Sequence, residues 1–196
     1  GANEILAHRI VWSFFFMVIV LVVTRRWQSF KEDCRALWQD KKRGLILLLA
    51  AFIISLNWLT YIWAVNHDHV IDTSIGYYIN PLMSVMLGIL CFRERVSGLK
   101  KISLLLAAIG IVLMTYQLGK LPWVAVVLAV SFSVYGALKK QLHLNPFSSI
   151  TLETMLMMPF AVPYIGILMA SPVNHFSLAT PDLALFLMGT GVVTAV

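Results

Sequence analysis

Long uncharged apolar runs alternate with short charged or turn-forming segments along the whole chain. The runs cover about 5–24, 44–66, 73–92, 102–118, 121–138, 148–170 and 182–196. About 20 consecutive apolar residues let an α-helix cross the hydrocarbon core of a bilayer. Only helices and closed barrels satisfy every backbone polar group there. The pattern therefore predicts an all-α integral membrane protein, a multi-spanning bundle with the runs as its spans. Between them lie a basic segment, 25–43, and short breaks at 67–72, 93–101, Gly119–Pro122 and 139–146. A loop is expected over Ser171–Pro181. Trp27, Phe30, Leu37 and Trp38 are interleaved with the charges of the basic segment, which suits a short helix lying at the interface.

The third run, Thr73–Phe92, is the most informative. It is uncharged, yet Pro81 sits near its middle, where it removes a backbone donor and crowds the carbonyl of Tyr77. Ser74, Tyr77, Tyr78 and Pro81 follow at i, i+3, i+4 and i+7 and share one face. Such a face suits a polar, partly hydrated interior, with Pro81 as a hinge; a kinked packing helix is the plainer reading. Asn57, Trp58 and Tyr61 share a face of the second run, as part of a pocket or as a clasp between helices. The loop between the two runs is short, so they are antiparallel neighbours. Asn57 and Tyr61 then fall at a depth similar to Ser74, Tyr77 and Asn80, and the expected substrate-binding set is Arg9, Asn57, Tyr61, Ser74, Tyr77 and Asn80.

Other residues carry two readings each. Arg9, a turn inside the first run, is an interface anchor or a cation facing a cavity. Glu153 is a coupling carboxylate or an acid placed at a helix start by the macrodipole. His67, His69 and Asp72 could ligate a metal, and His67 and Asp72 have the His-x4-Asp spacing of glycerolipid acyltransferases. A polar turn is favoured, with Asp72 as N-cap of the third run and with no metal or cofactor expected. Ser103, Ala107 and Gly110 form a small-residue stripe expected to pack closely.

Composition removes other classes. Hydrophobic residues make up 60% and charged residues 12%, with a mean hydropathy of +0.84; soluble domains carry about a quarter charged residues. The net charge of +6 lies in short loops and is therefore not a nucleic-acid signal; the bilayer and a small molecule are the expected partners, nucleic acid is not expected, and a homodimer stays open. Alternate loops carry seven (25–43), four (93–101) and two (139–140) Lys or Arg. The intervening loops carry none (66–72), one (Lys120) and none (171–182). By the positive-inside rule the basic loops are cytoplasmic and the chain starts outside. Cys34 and Cys91 then lie on the cytoplasmic side as free thiols. No secretory signal is evident, and both ends read as cuts in a longer protein.

Runs starting at Asn3-Glu4 and at Thr151-Leu-Glu153 enter the membrane from opposite sides, as an inverted repeat of odd helix number requires. Glu4-Ile-Leu-Ala-His-Arg-Ile-Val-Trp-Ser13, Asn57-Trp58 with Tyr61, Asn66-His-Asp-His69 and Gly76-Tyr-Tyr-Ile-Asn-Pro-Leu82 resemble the RarD-type proteins of the EamA branch of the drug/metabolite transporter superfamily. The stretch from Pro81 through Phe92-Arg-Glu-Arg95 to Gly110 is similar to the wider EamA pattern, although Lys100, Lys101 and Ile102 stand where that pattern often has Gln and Gly. The resemblance implies ten helices in two inverted five-helix repeats, with 1–119 a first repeat lacking its first helix and 120–196 the start of the second. It also implies a bacterial inner-membrane location, transport of small organic metabolites or drugs by alternating access, and an association with chloramphenicol sensitivity. The alternative class is an intramembrane enzyme of lipid metabolism. No nucleophile–base pair, phosphate-binding glycine loop or paired carboxylates on one helix face supports an enzyme.

Overall fold

A computed structural model describes residues 1–94, 97–119, 122–169 and 181–195. The chain forms α1 (Ala2–Val23), α2 (Trp27–Gln39), α3 (Lys41–Asn66), α4 (Val70–Phe92), α5 (Gly98–Leu118), α6 (Trp123–Leu142), α7 (Pro146–Met169) and α8 (Pro181–Ala195). Six of these, α1 and α3 to α7, are long and apolar enough to cross a membrane. Arg95, Lys120 and all of the expected loop over Ser171–Pro181 except Pro181, which starts α8, lie outside the described residues.

Local chemistry sets the ends. After α1 the chain turns at Arg25, with φ +55°; Arg25 N–H donates to the Val22 carbonyl (3.1 Å) and Arg26 N–H to that of Leu21 (3.0 Å). This left-handed cap satisfies carbonyls the helix end leaves over. At α7, the Asn145 side chain accepts from Phe147 N–H (3.1 Å), and Pro146 occupies the first helical position, where its missing donor costs nothing. α4 begins at Val70, three residues earlier than expected, with His69 as N-cap. Asp72 is therefore not the cap but lies in the first turn, where an acid suits the helix dipole.

The chain divides into two compact units, Gly1–Phe52 with Leu142–Val196, and Ile53–Gln141. In the first, α1 packs against α7 and α8, burying Glu4, Ala7, His8, Ser13, Met17 and Leu21. Ser13 Oγ donates to the Gly191 carbonyl (2.7 Å). A Cβ at Gly191 would lie 2.4 Å from Trp12 Cβ and 2.6 Å from Ser13 N, so α8 sits this close only because that residue is glycine. α2 is a full helix, and Phe30, Cys34 and Leu37 on one face of it join Leu47, Leu142 and Leu152 in an apolar cluster. The Arg26 guanidinium lies 4.8 Å over the Phe147 ring, and Arg43 donates to the carbonyl of Leu142. Burial and the neighbouring Asp33 carboxylate push the Cys34 thiol pKa up.

In the second unit α4 lies alongside α6, and the two run the same way, since Gly76 meets Ala125 near their starts and Glu94 meets Lys140 near their ends. A Cβ at Gly76 would come within 3.3 Å of Ala125 Cα, so the two backbones nearly touch. Ile75, Ile79, Ala125 and Ala129 form the seam, and Ala64 of α3 packs on Val124 and Leu128. α5 contacts α4, yet Ser103, Ala107 and Gly110 are exposed, and nothing lies within 4 Å of a Cβ built on Gly110. Among the described residues, the close packing expected of that stripe is not formed.

Candidate functional site

The expected site residues fall in both units. Arg9, half-buried in α1, and Glu153 in α7 belong to the first. Glu153 is 3% exposed and accepts a hydrogen bond from Ser149 Oγ (2.7 Å). Because α7 starts at Pro146, Glu153 lies about two turns inside, beyond the first turn in which the dipole acts. The helix-start explanation for this acid therefore fails. A carboxylate buried in a membrane helix is costly, and such groups mark functional pathways.

The remaining residues lie in the second unit. Asn57, 8% exposed, donates from Nδ2 to the Leu128 carbonyl (3.0 Å) and to Ser131 Oγ (2.8 Å). It binds α3 to α6, the interhelical clasp weighed as one of its two readings. Tyr61 of α3 and Tyr77 of α4 meet edge to face, ring centroids 6.1 Å apart. The expected antiparallel pairing thus brings these two rings together. Asn80 Oδ1 lies 3.2 Å from Ser133 Oγ and 3.4 Å from Ser84 Oγ, and the two hydroxyls are 3.1 Å apart. This uncharged polar cluster joins α4 to α6 at Pro81, and sequence reading named only Asn80 of it. Ser84 and Ser133 were hidden because a serine in an apolar run is common; the signal was Ser84 four residues after Asn80, one turn along the same helix.

The seam of α4 against α6 uses Ile75, Gly76 and Ile79. The opposite side holds Ser74, Tyr77, Tyr78 and Pro81, all exposed, Tyr77 by 64% and Tyr78 by 67%. The expected polar face exists, and the described helices leave it open. Between α4 and α6 lies a cleft of about 200 Å³, lined by Ser84, Gly88, Phe92, Ser133 and Gly136 and bordered by Glu94 and Lys140.

The His-Asp loop is accounted for locally. His67 Nδ1 donates to the Trp63 carbonyl (2.8 Å), His69 Nδ1 pairs with Asp72 Oδ2 (2.9 Å), and Trp63 stacks on both imidazoles. Among the described residues, no group of three or more His, Cys, Asp and Glu could hold a metal ion.

The sequence model of the EamA-like transporter family matches residues 1–116. The chain is 47% identical over 166 residues to the uncharacterized transporter YojE of Bacillus subtilis, covering 84% of this chain and 55% of that protein. It is 37% identical to Protein RarD of Salmonella typhimurium over 195 residues, covering 100% of this chain and 65% of that protein. An uncharacterized transporter of Vibrio cholerae is 39% identical over 99% of this chain and 63% of its own length. The chain thus spans less than two thirds of the length of these relatives. No solved structure matches it. Six apolar helices, a family match over more than half of the residues and RarD proteins aligned along the whole chain make this protein a RarD-type member of the EamA-like transporter family.

Proposed function

We propose that this protein moves small organic molecules across the bacterial inner membrane by alternating access, within a ten-helix architecture of two inverted five-helix repeats. Residues 1–119 belong to the first repeat and 120–196 to the second. The basic loops face the cytoplasm, so α4 runs from outside to inside. The observation that carries this reading is the open face of α4, where Ser74, Tyr77, Tyr78 and Pro81 stand exposed in a helix otherwise suited to lipid. A phenol and a hydroxyl at bilayer depth favour contact with something polar over contact with acyl chains.

Tyr61, Ser74, Tyr77 and Asn80 line the substrate path, with Asn57 holding α3 against α6 behind it. Arg9 offers a cation for an anionic group, and Glu153 is the carboxylate whose protonation couples transport to a proton gradient. Pro81 is where α4 bends between states, since one helical hydrogen bond is absent there. Aromatic rings and uncharged hydroxyl and amide groups suit aromatic or amphipathic substrates of low net charge.

The test is uptake by the full-length protein in proteoliposomes. Radiolabelled chloramphenicol is the first probe, chosen for the phenotype linked to the family, and a panel of labelled aromatic metabolites follows. Counterflow of at least one compound, lost in Tyr77→Ala, is the expected result. Monodisperse protein that moves none of them above empty liposomes would sink the reading.

A further inference from the structure

Beyond the seam, α4 turns a second stripe toward α6, on which Asn80, Ser84, Gly88 and Phe92 follow one another at steps of four, with Gly88 buried. On α6, Ser133, Gly136 and Lys140 follow at steps of three and four. The cleft lies where the two stripes run side by side, its far end bordered by Glu94 and Lys140.

Three features hold Glu94 over that end. Arg93 takes the left-handed conformation (φ +52°) and ends α4. The Glu94 N–H then donates back to the Gly88 carbonyl (3.3 Å), which folds the chain onto the helix it has just left. Gly88 leaves the space, because a Cβ there would lie 2.8 Å from Glu94 Oε2. The carboxylate pairs with Lys140, whose ammonium also lies 4.7 Å over the Phe92 ring. Behind the pair, Ser133 is 3% exposed and touches Ser84 and Asn80.

We propose that Glu94 and Lys140 form a charge latch that closes the α4–α6 cleft at its Phe92 end, the exit of the substrate path. Its partners are both about half exposed, and an ion pair in that setting is weak enough to open and re-form repeatedly. Closed, it shields the Asn80–Ser84–Ser133 cluster from solvent at that end. Open, it leaves an ammonium and a carboxylate flanking a polar cleft, where water or a polar substrate replaces each as partner. Gly88 is a positioning residue, because it acts through Glu94. The latch rests on reading α4 as the lining of the path, but its geometry is tested without measuring transport.

The experiment places Ser133→Cys in a full-length protein in which every other cysteine, Cys34 and Cys91 among them, has been changed to serine. It follows modification by a small charged methanethiosulfonate in membrane vesicles of both orientations. Glu94→Gln and Lys140→Gln should each speed modification by about fivefold, the shift in opening that loss of an exposed ion pair allows. The swap Glu94→Lys with Lys140→Glu should return the rate toward its starting value. Gly88→Ala, which keeps both charges and a good helix former, should match the neutralised variants by displacing Glu94. Rates unchanged in Glu94→Gln and Lys140→Gln, or a swap as fast as the single variants, would overturn the latch. Should the rates respond as expected while the wild type moves no probe in proteoliposomes, the latch stands and the transport reading fails.

Discussion

Asn57 uses both amide hydrogens on α6, while Tyr77 presents an exposed ring to Tyr61 and an open face. The two residues should therefore respond differently to substitution. Asn57→Leu removes two hydrogen bonds across a helix interface, each worth about 0.6 kcal/mol and at most about 1.7 in membranes. It should lower the thermal stability of the purified full-length protein measurably, and any loss of transport should follow that loss of folded protein. Tyr77→Phe keeps the ring pairing and removes only a hydroxyl. It should slow transport by about fivefold, as expected for one lost substrate hydrogen bond, and so impair transport more than it impairs folding. If Asn57→Leu melts like wild type, its amide is not the clasp the geometry describes. Glu153 calls for a third comparison. Glu153→Gln keeps the shape and the Ser149 hydrogen bond but cannot ionise. Transport by this variant should no longer respond to an imposed pH gradient, while exchange without a gradient persists. A normal response to the gradient would remove Glu153 from coupling.

Helices were legible in the sequence because bilayer thickness sets a length that apolar runs must meet, and α1 and α3 to α7 meet it. The common face of Ser74, Tyr77, Tyr78 and Pro81 was equally legible, since it follows from helical geometry alone. Beyond the α3–α4 pair, which their short loop fixes, what pairs with what was not, because helices in lipid gain nothing from hydrophobicity at their contacts and pack through small residues instead. Gly76 against Ala125 and Gly191 against Ser13 are such contacts, and in sequence neither differs from Gly110, which meets nothing. The Asn145-Pro146 cap starts α7 at Pro146 rather than at the expected 148, which sets Glu153 about half a turn further from the helix start. These contacts give predictions at the level of the helix. Gly191→Leu cannot be placed without moving α8 off α1, because even its Cβ would fall 2.4 Å from Trp12 Cβ. Overpacking of this kind costs about 1–3 kcal/mol or more, and the yield of monodisperse protein should drop sharply. Gly110→Leu, on the exposed stripe of α5, should fold normally when the chain is expressed as described. Equal yields of Gly191→Leu and wild type would mean that α8 does not rest on α1 in this way.

Across the whole molecule, the arrangement of charge gives the most direct test. The basic segment between α1 and α3 folds into α2, whose apolar face of Phe30, Cys34 and Leu37 is buried in a cluster with Leu47, Leu142 and Leu152. α2 thus joins the end of α1 and the start of α3 to the start of α7, so all three lie on one side of the membrane. Under the proposed topology, the count of Lys and Arg predicts that this side is the cytoplasmic one. Cys34 reports on the assignment, and its chemistry limits how the experiment is run. Burial and Asp33 raise the thiol pKa above the ordinary value of 9.0, so at neutral pH very little of it is the reactive thiolate. A negative result in intact cells at pH 7 alone would therefore mean little. The comparison needs a variant in which every cysteine but Cys34, Cys91 among them, is changed to serine, and a membrane-impermeant maleimide applied to sealed inside-out vesicles and to right-side-out spheroplasts. In inside-out vesicles the labelling rate should climb about tenfold per pH unit while the pH stays below the pKa, because thiolate concentration sets the rate. In spheroplasts no labelling should appear at any external pH the membrane survives. Labelling that rises with external pH in sealed spheroplasts would invert the topology, place the Phe92 end of α4 outside, and turn the proposed direction of the substrate path around.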